Sequence, residues 1–506
     1  MRASEQLTAV FHRIDITPAG PVSLLGYFND RVSTGVLDPL ACRLAGFAAR
    51  PAAAARPPGH GSRFAARRGR GPASLGAVRR LLFLQIDTCL FDTAFLWALH
   101  RALRARECGG WAEREVLVFA NHTHTAPALA RLYEVPRQSG YAARLVTQIA
   151  SAAGQVARAL APAPMTPSAR GAAFAHADGV SPAQLRAIPV SLEVARGRAE
   201  GLAFNRRWLT RDGLAITNPS RAQRAHLVGP AGPVDPELIT LLFRDPEGKP
   251  VALFVSASNH TDTLGGEAVS ADWTGVLERE VDRELGLAVP VFPLLGAQGD
   301  INHFDPDARR DQTCYEETQR LGRAYAEVVL ASLAAARCLE PGGRGPALAS
   351  RTDAVRLPGR LIPKKQLAEA RHLLAEDRGS GASGALTAVE LAAGAPEVKR
   401  VMARELLRQA PVRRRAYRVR LQAVRLGGVL FCAIPGEPFA ELGLALKSPC
   451  SGGVPLVLPL GLAGGYYGYI LPAERLAGGG YEALPMAGRL GGAAAASIVR
   501  HFRRFC

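Results

Sequence analysis

No stretch of 18 or more apolar residues occurs in the 506-residue chain, so no segment is able to cross a membrane as a helix. Lysine is scarce: Lys249, Lys364, Lys365, Lys399 and Lys447 are the only five, and the net charge of +18 rests on arginine. Such an excess invites an anionic partner, nucleic acid or a membrane surface. The arginines are scattered, however, and aromatic residues make up only 6%. With no recognition helix or RNP-like motif either, nucleic-acid binding is not expected. The eight cysteines (Cys42, Cys89, Cys108, Cys314, Cys338, Cys432, Cys450 and Cys506) include no CxxC pair. A thiol zinc site and a disulfide framework are both unsupported, and the plain expectation is buried free thiols in a reducing compartment. There is no Gly-x-Ser-x-Gly elbow, which argues against a serine nucleophile of the α/β-hydrolase kind. Glu5 stands where a secretory leader needs an apolar run, so a cytoplasmic location is expected.

What is present is a chain that is 48% hydrophobic and 21% charged, enough to bury a sizeable core. Neither an internal repeat nor a Pro/Ser-rich linker divides it, so residues 1–506 are read as one large catalytic domain. Strands are expected near 9–16 and 40–47, in Arg80-Leu-Leu-Phe-Leu-Gln-Ile-Asp87 and in Glu115-Val-Leu-Val-Phe-Ala120. Four more fall at 239–243, 251–256, 289–295 and 428–434. Helices are expected at about 91–106, 141–160, 274–285, 315–337, 364–376 and 395–408. This alternation predicts an α/β fold of mixed sheets with flanking helices. The Ala/Arg/Pro/Gly stretch at 48–80 reads as a low-complexity surface insertion, and 360–410 as a charged helical excursion broken by Gly379-Ser-Gly-Ala-Ser-Gly384.

The strongest chemical signal is Asn121-His122-Thr-His124-Thr125, directly after a predicted strand. Alternation along an extended chain turns residues i and i+2 to the same face, so both imidazoles project from one sheet edge. Their Cα atoms would sit about 7 Å apart at ~3.3 Å per residue, so both reach one metal only if the strand end bends. One ligand and one neighbouring acid/base group is the arrangement this favours; a pair of hydrogen-bonded loop histidines is the bland alternative. Three further strands end in polar clusters: His260-Thr-Asp262, Gln298-Gly-Asp300-Ile-Asn302-His303 and Pro435-Gly-Glu437. Taken singly, Asp300 reads as a turn cap and Glu437 as a helix N-terminal carboxylate. The tail adds Tyr466-Tyr467-Gly-Tyr469 and Tyr481-Glu482, either aromatic packing or phenols near a metal.

These residues resemble landmarks of the neutral/alkaline non-lysosomal ceramidase family, in particular its zinc-dependent catalytic domain. Seven occur in family order: Arg13-Ile-Asp-Ile-Thr-Pro18 with Gly26-Tyr27; Asn121-His-Thr-His-Thr-Ala-Pro127; Phe204-Asn-Arg206; His260 with Ser270-Ala-Asp272; Gln298-Gly-Asp300; Pro435-Gly-Glu437; and Tyr466-Tyr-Gly-Tyr469 with Tyr481-Glu482. The resemblance implies a zinc ion (Zn2+) held by His122, His260, Glu437 and Tyr469. It places His124 and Tyr481 beside the reacting amide and Arg206 against the substrate. Zinc in such a site lowers the pKa of its water towards ~7 and polarises the carbonyl, so the implied reaction is attack of zinc-bound water on an N-acyl bond. The implied partner is a lipid or small-molecule N-acyl substrate, ceramide or another. Three departures accompany the match: no room for the family's C-terminal immunoglobulin-like domain, no signal peptide, and Asn302 where members carry serine. Competing expectations are an esterase or other metallohydrolase using the same centre, and a non-catalytic Arg-rich protein binding anionic surfaces.

Overall fold

A computed structural model describes residues 6–50, 75–161, 185–286, 290–339, 347–376, 386–449 and 454–506. Most of the proposed insertion at 48–80 and the Gly379–Gly384 break lie outside these residues. Three mixed sheets carry the fold. The first has five strands, among them Gln6–Asp15, Ala41–Arg50, Arg80–Ile86 and Val116–Ala120, the last two parallel. The second has Ser191–Arg198, Glu237–Arg244, Pro250–Ala257 and Val291–Leu295, again ending in a parallel pair. The third runs Leu348–Pro358, Ala416–Leu426, Val429–Ala433 and Leu456–Leu460.

Arg80–Ile86 explains the layering. Leu82, Leu84 and Ile86 point into one apolar cluster, whereas Leu81 and Phe83 point into another. A strand covered on both faces has no solvent side to mark, so it reads as one apolar run. The first cluster lies beneath helices Thr93–Leu103 and Ser139–Leu160 on the first sheet and Asp272–Leu285 and Tyr315–Leu333 on the second. Residues of all three sheets meet in the second cluster. There the Phe83 ring lies 5.6 Å from Phe47, 5.5 Å from Phe254 and 5.1 Å from Phe431, tying one strand of each sheet to the others. Each such ring buries ~150–250 Å² and gains ~0.5–1.5 kcal/mol per aromatic pair beyond its area. The third sheet is closed by Ala440–Lys447 and Ala493–Phe502.

The expected helices appear at Thr93–Leu103, Ser139–Leu160, Asp272–Leu285, Tyr315–Leu333, Lys364–Ala375 and Pro396–Gln409. That at 315–337 is shorter, because the chain turns after Leu333 and pairs Arg337–Cys338 with the second sheet. Among the described residues no helix is long and apolar enough to cross a membrane.

Candidate metal centre

Each parallel strand pair stops at one region, and the loops beyond supply the site. Val116–Ala120 leads into Asn121, whose Oδ1 accepts from the Thr88 N–H at 3.0 Å and whose Nδ2 donates to Thr274 Oγ1 at 3.0 Å. The next residue, His122, leaves the extended conformation altogether, with φ of +65°. The expectation of a straight i, i+2 alternation is thereby corrected: the strand end bends. The Nε2 atoms of His122 and His124 lie 3.4 Å apart instead of on a 7 Å repeat. His124 packs on Gly26, where an added Cβ would stand 2.4 Å from the imidazole Cγ and φ is +136°. Only glycine admits the ring there.

His260 follows Pro250–Ala257, and its carbonyl accepts from Trp273 Nε1 at 2.8 Å. Glu437 pairs in register with Tyr469, and its carbonyl lies where a side chain on Gly299 would strike it at 2.5 Å. These loops bring His122, His260 and Glu437 together, their ligand atoms all within 4.8 Å. His122 Nδ1 is 2.7 Å from the Cys89 carbonyl and His260 Nδ1 is 2.8 Å from the Ile301 carbonyl. A carbonyl only accepts, so both Nδ1 atoms carry a proton, and the Nε2 atoms are the positions from which the neutral imidazoles would bind a metal. These point at Glu437 Oε2 from 3.2 and 3.1 Å. Two imidazole nitrogens and a carboxylate oxygen facing one another form a compact donor set, and imidazole with carboxylate is a normal donor set for zinc. The residues fit a divalent cation.

The remaining predicted residues surround this trio. Tyr469 lies beside Arg206, the guanidinium carbon 5.3 Å from its ring centroid, and its ring is 5.5 Å from that of Tyr481. Arg206 reaches His260 Nε2 at 3.2 Å and donates to Glu482 Oε1 at 2.8 Å and the Gly299 carbonyl at 2.9 Å. His124 Nδ1 is 3.0 Å from Asp262 Oδ1. Burial opposes charge on His124, but Asp262 and Cys89 outweigh it and hold the imidazole up to about 9. Burial likewise favours a neutral Glu437, yet the two histidines hold it well below the carboxylate range. Burial and Arg206 together press His260 down to about 4. The phenols of Tyr466, Tyr469 and Tyr481 are all pushed up, chiefly by burial, and stay protonated at neutral pH.

Asp300, read as part of a polar cluster, caps a helix instead. It accepts from the Ala440 N–H at 2.8 Å and from Asn205 Nδ2 at 2.7 Å, and burial raises its carboxyl to about 6. Asn302 donates to Asn218 Oδ1 at 2.9 Å. Sequence reasoning overlooked Cys89, whose Sγ is 3.5 Å from His122 Nδ1 and whose thiol, raised by burial, is brought down to about 7 by the two histidines. It follows the strand Arg80–Ile86, and the strand-end logic applied elsewhere would have found it. The particular role of Tyr466 was also missed: its hydroxyl donates to Glu437 Oε1 at 2.7 Å.

No protein-family model and no curated protein sequence matches this chain. Solved structures do. A crystal structure of neutral ceramidase from Pseudomonas aeruginosa superposes on 99% of this chain and 74% of its own, with a TM-score of 0.65 at 16% identity. A ceramidase complexed with C2 superposes over the same shares, with a TM-score of 0.62 at 15% identity. The mixed α/β fold is shared with these proteins over nearly the whole chain.

Proposed function

We propose that the chain is a zinc-dependent amidase that cleaves the N-acyl bond of a ceramide-like or other N-acyl substrate. The observation that carries this reading is the convergence of the His122 and His260 Nε2 atoms on Glu437 Oε2, with both Nδ1 protons spent on backbone carbonyls. The fold shared with two ceramidase structures supports it. In this reading His122, His260, Glu437 and Tyr469 hold the metal, which when bound polarises the scissile carbonyl and activates water as a nucleophile.

The chain's own groups do the rest. Glu437 is kept in one orientation by Tyr466, so its other oxygen faces the histidines. His124, oriented through Nδ1 by Asp262, presents its Nε2 to the centre as a proton donor, either to a developing oxyanion or to the leaving nitrogen. Tyr481 keeps its phenolic proton and serves as a neutral donor to the same amide. Arg206 is fixed by Glu482 and lines a cavity of about 180 Å³ together with Trp208, Asn218, Ser220 and Phe304. This mixed lining suits the polar part of an N-acyl compound, and Arg206 is the residue it shares with the site.

Chelated protein should lose turnover of an N-acyl amide, and added zinc should restore it. The matching ester serves as the comparison. Hydrolysis of ester alone would favour the esterase alternative, and activity indifferent to chelation would end the metal reading.

A further inference from the structure

Tyr133 belongs to none of the motifs, yet its hydroxyl lies 2.5 Å from the hydroxyl of Tyr481 across 348 residues of chain. Its placement is costly. Tyr133 holds φ of +51°, a left-handed conformation worth ~1–3 kcal/mol of strain for a residue that is not glycine. Phe28 clamps the pair, its ring edge-on to Tyr133 at 4.9 Å and tilted against Tyr481 at 5.3 Å. Both phenols are buried deeply enough to remain neutral.

Two neutral phenols in contact share one bridging proton. If Tyr481 is to donate to a reacting amide, its hydrogen is spent there and only its lone pairs face Tyr133. The bridging proton then has to come from Tyr133. Hydrogen bonds in such a chain polarise one another, so a donor behind Tyr481 strengthens the one in front.

We propose that Tyr133 is a positioning residue for amide cleavage, its hydroxyl donating to Tyr481 and holding that phenol as a donor aimed at the substrate. This rests on the amidase reading above. It adds a member of the site that neither motif nor ligand chemistry pointed to.

Tyr133→Phe keeps the ring and its contact with Phe28 while removing the donor. On an N-acyl amide, with zinc supplied, its kcat should fall about tenfold, the scale of one hydrogen bond, and KM should stay within about twofold. In a Tyr481→Phe background the same substitution should change kcat by less than about twofold, because the pair acts as one unit. Urea midpoints of the variants should match the parent, which removes misfolding as the cause. An unchanged kcat in Tyr133→Phe, or an equal loss in both backgrounds, overturns the inference. A wild-type protein that cleaves no N-acyl amide overturns the amidase reading and this inference with it. A fully active wild type with an indifferent Tyr133→Phe overturns the inference alone.

Discussion

His122→Ala should arrive without zinc and without turnover, whereas His124→Ala should keep its zinc and lose turnover by ~10²–10⁴-fold, the usual contribution of a positioned acid/base group. Local geometry separates the two. His122 places its Nε2 at 3.2 Å from Glu437 Oε2 and has its ring fixed through Nδ1 on the Cys89 carbonyl. His124 is instead drawn towards Asp262, and its backbone carbonyl accepts from Arg31 Nη2 at 2.7 Å. Zinc content and kcat for both variants on one N-acyl substrate settle the assignment. The two histidines also cluster with Cys89, close enough to hold a metal there. A metal-free His124→Ala would reverse the roles and favour that thiol-bearing grouping.

Glu482→Gln should be the most destabilising single change near the site. The buried carboxylate accepts from Arg206 at 2.8 Å, from Arg207 at 3.0 Å and from Thr217 at 2.7 Å. Two buried guanidinium groups depend on it, and breaking such an arrangement from one side costs ~3–5 kcal/mol. Arg206 would lose the anchor that sets its distance from His260, so turnover should fall together with the urea midpoint. A variant as stable as the parent within about 1 kcal/mol would mean that the arginines find other partners.

The strands that deliver the site were legible because both of their faces are buried. Val116–Ala120 and Val429–Ala433 are continuous apolar runs and Pro250–Ala257 is interrupted only by Ser256, so the polar residues at their ends stand out against them. Leu348–Pro358 and Ala416–Leu426 went unread for the opposite reason. In the latter, Arg418 and Arg420 alternate with buried Val419 and Leu421, a one-sided strand whose charges resemble the surrounding arginine-rich sequence. The alternation was there, but composition drowned it. Within the site, polar residues at strand ends marked the region, and the family resemblance is what singled out His122, His260 and Glu437 among them. The bend at His122 was not legible, since a left-handed histidine leaves no mark in residue type. Tyr133 was invisible for a related reason: it meets Tyr481 only through tertiary packing, far from any strand end.

In the function proposed above, His122, His260 and Glu437 together with Tyr469 hold one zinc ion. Elemental analysis of the purified chain after zinc supplementation and removal of free metal tests it most directly. The wild type should carry one equivalent per chain, and Glu437→Ala, which removes the carboxylate of the set, should lose it sharply. Well under one equivalent in the wild type, or a Glu437→Ala variant that retains its full complement, would contradict it.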